Sequence, residues 1–318
     1  MREIGGYIEL DKYKNRMLHE GAIALNCGRN ALEYLIRCKG IKKIAIPKFL
    51  CDSVASICEK ENIDIRFYSI NRNLKPKNVD IKEDEWLYLV NYYGQIDNQF
   101  IALCVKKYKR VIVDNAQAYF QLPIEGVDTL YTCRKFFGVA DGAFLYSDRI
   151  LEENIMVDES YERMRFLLGR FERTATEFYE EYVANNRIFS KEPIKQMSKL
   201  TNNLLHAIDY DDIKKIRENN FSVLHKYFEQ INLLSLKIPD GAFMYPLYLK
   251  NGSEIRKKLQ NKKIYIPTLW PDVFEYCGQD ELEYDMANNI LPLPVDQRYN
   301  EQDMLYMINE IEKYLIMD

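Results

Sequence analysis

Val111 to Tyr146 reads VIVDNAQAYFQLPIEGVDTLYTCRKFFGVADGAFLY. It opens on an apolar run, Val111-Ile112-Val113, that drops straight onto Asp114. A buried parallel strand delivers a carboxylate to its carboxyl end in this way. Arg134-Lys135 follows, the lysine twenty-one residues after Asp114. A glycine-bearing turn comes next (Gly138, Asp141-Gly142), then a second apolar run from Ala143 to Tyr146.

Outward from this stretch, short apolar runs alternate with helical patterns. Lys43 to Pro47, Ile63 to Ser69, Trp86 to Asn91 and Val111 to Asp114 read as strands. Asn30 to Cys38, Cys51 to Lys60 and Gln99 to Tyr108 read as helices between them. Such alternation predicts an α/β fold with a mostly parallel central sheet flanked by helices. Ligands of such sheets bind at the strands' carboxyl ends, where Asn91, Asp114 and the Lys135 loop fall. Residues 151–235 are charged, nearly glycine-free and helical in period, which predicts long helices. From about residue 240 the pattern is mixed again. Ala242 to Leu249 and Lys263 to Pro267 read as strands, Ser253 to Asn261 and Glu301 to Tyr314 as helices. The expected organisation is a large domain over 1–235, its sheet within 20–150, and a smaller C-terminal α/β lobe over 236–318.

Bulk properties narrow the function. A length of 318 residues suits one large core with a smaller lobe. The net charge of −4 implies no nucleic-acid field, and basic clusters such as Lys106 to Arg110 read as solvated faces. Seven cysteines without a CxxC pair read as reduced thiols, and three unpaired histidines offer no metal site. No apolar core region marks the N-terminus as a signal peptide, and no apolar run is long enough to span a membrane. A cytoplasmic location is the expectation.

Three constellations carry chemistry. In Asn26-Cys27-Gly28-Arg29-Asn30-Ala31-Leu32 a glycine precedes an apolar-faced helix, whose exposed amides and dipole suit a phosphate. A plain helix cap would look the same. In Asp114-Asn115-Ala116-Gln117, a buried carboxylate beside a pyridinium nitrogen keeps that nitrogen protonated, and Gln117 can donate to a ring phenolic oxygen. In Thr132-Cys133-Arg134-Lys135, a lysine beside a cation is poised to lose its proton and attack an aldehyde. Thr132 and Arg134 are candidates to grip a phosphate. An acid at one strand end and a lysine in a nearby loop suit pyridoxal 5'-phosphate. No GxGxxG turn points to a dinucleotide sheet instead.

Together these features resemble the DegT/DnrJ/StrS family of pyridoxal-phosphate aminotransferases, of fold type I. Asn26 to Leu32 resembles the family's SGTxAL phosphate loop, and Ile44 to Pro47 its VP-ending strand. Asn91 to Gln95 resembles its strand-end glycine segment. Asp114 to Ala118 resembles EDxAQAxG, the most specific match. Lys135 with Gly138 to Ala143 resembles SFxxxK…GGA, and Ile290 to Pro294 the closing LP strand. The resemblance implies that Lys135 and Asp114 are catalytic. It implies cofactor binding by Gly28, Arg29, Asn30, Asp114, Gln117, Thr132, Arg134 and Lys135. It further implies an amino-acid donor, glutamate foremost, a keto-sugar acceptor carried on a nucleotide, and a homodimer with shared sites in polysaccharide or amino-sugar biosynthesis.

The chain also departs from the family pattern. The phosphate-loop threonine appears as Arg29 or Asn30, and Thr132 stands for a serine at a shorter spacing. Cys51 aligns with the ring-stacking aromatic, leaving Phe49 or Tyr92 as substitutes. The GxNxRM segment is not recognisable, leaving Asn185, Asn186 or Met197-Ser198 to do its work. Two other readings follow: a lyase or dehydratase on the same scaffold, against which Lys135 argues, and a non-catalytic cofactor-binding or scaffolding relative.

Overall fold

The computed structural model describes residues 4–315. Its main sheet has seven strands: β1 (Ile23–Leu25), β2 (Lys43–Pro47), β3 (Asp64–Tyr68), β4 (Trp86–Val90), β5 (Val111–Asp114), β6 (Asp128–Thr132) and β7 (Ala143–Tyr146). Their order is β1-β7-β6-β5-β4-β2-β3. β3, β2, β4, β5 and β6 run parallel, while β7 is antiparallel to both β6 and β1. The helices α1 (Gly28–Lys39), α2 (Asp52–Lys60) and α3 (Asn98–Tyr108) lie between strands in the chain. All four residues of β5 are buried, as a strand flanked by parallel neighbours and covered on both faces requires.

The second half carries α4 (Arg165–Glu172), α5 (Tyr179–Ile188), α6 (Lys199–Leu205) and α7 (Tyr210–Phe228). The long helices expected over 151–235 are therefore corrected: only α7, with 19 residues, is long. α4 ends where Arg173 turns extended (φ −138°, ψ −152°), and the Phe178 ring folds back onto the backbone at Gly169. β8 (Met244–Tyr248) pairs antiparallel with β9 (Ile290–Pro294), with α8 (Gly252–Gln260), α9 (Val273–Tyr276) and α10 (Leu282–Asn289) between them and α11 (Glu301–Leu315) following. The strand expected over Lys263 to Pro267 is absent. Lys263 takes a left-handed turn (φ +59°) after α8, and Ile264 and Ile266 are buried without pairing in a ladder.

Two apolar clusters form. One fills both faces of the main sheet and takes in Trp270, Val273, Met286 and Ile290. The other joins the second half of α7 to β8, α8, β9 and α11. The clusters meet where glycines permit close approach. A Cβ at Gly94 (φ +72°) would stand 2.8 Å from the Pro239 Cβ, and one at Gly241 (φ +48°) would enter the Phe120 ring. Among the described residues, no helix is long and apolar enough to cross a membrane.

Gly252 opens α8 against the backbone carbonyl of Asn289, leaving no room for a Cβ. Gly252→Ala must push α8 away from the end of α10, where β9 begins. It is expected to cost about 1–3 kcal/mol, the usual scale of overpacking, read as a fall in the urea midpoint at unchanged slope.

Candidate active site

Asp114 closes β5 in the interior of the sheet. Its Oδ1 accepts from the Ala116 amide at 2.8 Å and its Oδ2 from the Tyr88 hydroxyl at 2.8 Å. Burial pushes its carboxyl above the ordinary range, and the nearby Lys135 charge, the Ala116 amide and the Tyr88 hydroxyl work against that rise. Asn115 beside it is locked in a polar net: Asn91 Nδ2 donates to Asn115 Oδ1 and to Gln121 Oε1, each at 3.0 Å. Gln117 Oε1 accepts from the Tyr93 amide at 2.8 Å, which holds Tyr93 in the left-handed region (φ +53°). Gln117 Nε2 has no partner among the described residues, so that side chain keeps a donor for a ligand.

The N-terminus of α1 abuts the end of β6. A Cβ on Gly28 would lie 4.0 Å from the Thr132 Cβ. The first turn of α1 holds no acid, and no side chain caps it by hydrogen bond. Burial pushes the Cys27 thiol up to about 11, although the amide of Asn30 and the charges of Arg134 and Arg29 favour its thiolate. Arg134 donates to Asn186 Oδ1 on α5 and stacks on Phe189 at 4.6 Å. Its pKa is lowered, first by burial and then by Arg29 and Arg163. Neither Arg29 nor Arg134 forms a salt bridge among the described residues. The Asn30 side chain faces inward, donating to Asn26 Oδ1 at 2.9 Å and to the Pro193 carbonyl at 2.7 Å.

Lys135 is exposed three residues past β6, with its Nζ 5.7 Å from the Phe243 ring centroid. It forms no hydrogen bond or salt bridge among the described residues, yet its charge is felt at Asp114. The residues present fit pyridoxal phosphate. Two guanidinium groups without acids and the N-terminus of α1 suit the phosphate. A buried carboxylate suits the ring nitrogen, a spare amide donor suits the phenolic oxygen, and an unpaired lysine suits the aldehyde. No group of three metal-ligating side chains exists among the described residues.

The structure thus brings Gly28, Arg29, Thr132 and Arg134 to one corner, and Asp114, Gln117 and Lys135 to the strand ends beside it. Other sequence candidates are committed elsewhere. Phe49 and Tyr92 are enclosed with Trp270, at 4.4 and 5.4 Å between ring centroids, so neither ring faces open space. Cys51 is half-buried beside Ser53 Oγ. Asn185 donates to the Ala140 carbonyl, and Ser198 caps α6 while bonding Asp141. Sequence reading missed Tyr88. A tyrosine inside a fully apolar strand was the available signal, because a buried hydroxyl requires a partner.

No family model and no curated protein matches the chain in sequence. Solved structures do match in shape. DesV from S. venezuelae, solved with a ketimine intermediate, shares 14% identity over 92% of this chain and 84% of its own, with a TM-score of 0.66. A DegT DnrJ EryC1 StrS aminotransferase from Brucella abortus shares 13% over 93% and 86%, with a TM-score of 0.61. Spr1654 from Streptococcus pneumoniae in its PLP form shares 13% over 93% and 88%, with a TM-score of 0.62. The chain has the fold of these aminotransferases, fold type I, as the sequence resemblance led us to expect.

A carboxyl whose native pKa is raised stabilises the fold less once it ionises. Asp114→Asn is therefore expected to raise Tm at neutral pH. The gain should build as pH climbs from the ordinary carboxylate value to the raised native pKa of Asp114, hold level above it, and vanish in acid. Thermal melts from acid to neutral pH check the sign.

Proposed function

We propose that this chain is a pyridoxal-phosphate-dependent aminotransferase. In this reading it moves an amino group from an amino acid, glutamate foremost, to a nucleotide-linked keto sugar in polysaccharide or amino-sugar biosynthesis. The observation that carries the reading is the meeting of buried Asp114, the spare Gln117 amide and unpaired Lys135 beside the cationic start of α1. The sugar is carried over from solved structures of the same fold that are named as sugar aminotransferases, CalS13 from Micromonospora echinospora and Spr1654.

The cofactor, when bound, supplies an electron sink for the carbon that carries the transferred nitrogen. The chain's own groups set where and how. Gly28 and the α1 amides, with Thr132, Arg29 and Arg134, hold the phosphate. The Asp114 carboxylate would keep a proton on the ring nitrogen, and the Tyr88 hydroxyl and Ala116 amide fix the carboxylate's plane. Gln117 Nε2 orients the ring through its phenolic oxygen. Lys135 Nζ would hold the cofactor's aldehyde and, once freed by the incoming amine, would take up and return a proton.

Two features support the wider setting. Leu168 and Phe171 on α4 and Tyr179 and Tyr182 on α5 are exposed, and Tyr182 is close enough to be felt at Arg134. An apolar face beside the site supports a homodimer with shared sites. All seven cysteines are free, which supports a reducing, cytoplasmic location.

Protein purified with pyridoxal phosphate is expected to show a visible absorbance band, and borohydride reduction should place the label on Lys135. Glutamate should convert the bound cofactor to its amine form. Lys135→Ala should lose the band and at least about 10²-fold in transfer rate, the scale of a lost general acid–base. No band and no label on Lys135 would overturn the reading.

A further inference from the structure

Arg217, on α7, is 1% exposed and has no carboxylate within salt-bridge distance among the described residues. Neutral acceptors surround it instead. Its Nε donates to Gln297 Oε1 at 2.9 Å, its Nη1 to the Ala242 carbonyl at 2.8 Å and its Nη2 to the Phe136 carbonyl at 3.1 Å. The guanidinium also lies 4.7 Å over the Phe136 ring. Asp296, the nearest acid felt at Arg217, is paired with Arg298. A buried cation held only by neutral groups costs stability. Its retention calls for a gain elsewhere, and the acceptors show where.

Phe136 directly follows Lys135. Its carbonyl takes two donors, Arg217 Nη2 and Gln297 Nε2 at 2.8 Å, and its amide donates to the Cys133 carbonyl at 2.9 Å. The residue after Ala242 is Phe243, whose ring borders Lys135 Nζ. One planar fork therefore fixes both the backbone that carries the lysine and the backbone that carries its aromatic neighbour. We propose that Arg217 is a positioning residue for Lys135, clamping the lysine-bearing loop to the entry of β8 and the exit of β9 so that Nζ stays at the end of the sheet. The proposal rests on the reading of Lys135 as the cofactor lysine.

Arg217→Lys keeps the charge and loses the fork. It is expected to lower kcat by about 10²-fold, the effect of a small misplacement, with little change in KM for the amino donor. The visible circular dichroism of bound cofactor should weaken. In the cofactor-free protein, amide exchange over 133–139 should quicken while β5 stays protected. Gln297→Leu removes one of the two donors to the Phe136 carbonyl and leaves the guanidinium. It should show the same pattern more weakly, and it decides the matter if Arg217→Lys does not fold. Unchanged exchange over 133–139, or a lower Tm with dichroism and kcat intact, would overturn the proposal. Because exchange is read without cofactor, a failure of Lys135 to take label would fault the aminotransferase reading and leave the clamp to be judged separately.

Discussion

A carboxylate taken out of water sets the terms for this site. Asp114 ends a strand with parallel neighbours on both sides, where dehydration opposes its charge. An ionised acid survives there only if donors and a cation are brought to it. β4 supplies the Tyr88 hydroxyl, the turn after β5 supplies the Ala116 amide, and the loop after β6 supplies Lys135. β6 is one strand spacing from β5, about 4.8 Å, so that loop arrives without any long excursion. The antiparallel β7 then returns the chain to pair with β1, and β1 feeds the amide end of α1. The acid, the lysine and the anion-seeking helix end are thus consequences of one strand order.

Much of this was written locally in the sequence. β2, β5 and β7 have the ends that their apolar runs marked, because strands buried on both faces are apolar throughout. β6 was harder to see. Its DTLYT carries Asp128, paired with Lys39, and Thr129, bonded to the Val127 carbonyl, so polar side chains sit inside a buried strand. β1 has only three residues and draws its order from pairing with β7. The α4–α5 region has a helical period, yet Phe178 packing on Gly169 decides where the turn falls.

For the site the same division holds. The sequence singles out Asp114, Gln117 and Lys135 because their motifs are contiguous, and the structure sets all three at neighbouring strand ends. The contacts that hold them in place were not legible, since Tyr88 reaches Asp114 across 26 residues, Asn186 reaches Arg134 across 52, and Arg217 reaches Phe136 across 81. The ring neighbours were misjudged for a related reason. Phe49 and Tyr92 lie near the strand ends in sequence, but Trp270 arrives from far along the chain and encloses them. Glu33 is buried and paired with both Arg37 and Lys60. Around the start of α1 and the end of β6, by contrast, Arg29 and Arg134 stand without acids, so a protein of net charge −4 keeps a local positive field there.

The two glycine contacts between the clusters bear on how such a chain diversifies. Gly94 lies under Pro239 and Gly241 under the Phe120 ring, one glycine from each side of the seam. The fit is reciprocal, so neither half can accept a side chain there on its own account. A C-terminal segment borrowed from another protein would seat only if it brought its own glycine and met one already present. Recombination at this seam is therefore matched in pairs. Change in this scaffold should arise more readily by loop replacement on one side of the seam than by exchange of everything beyond it.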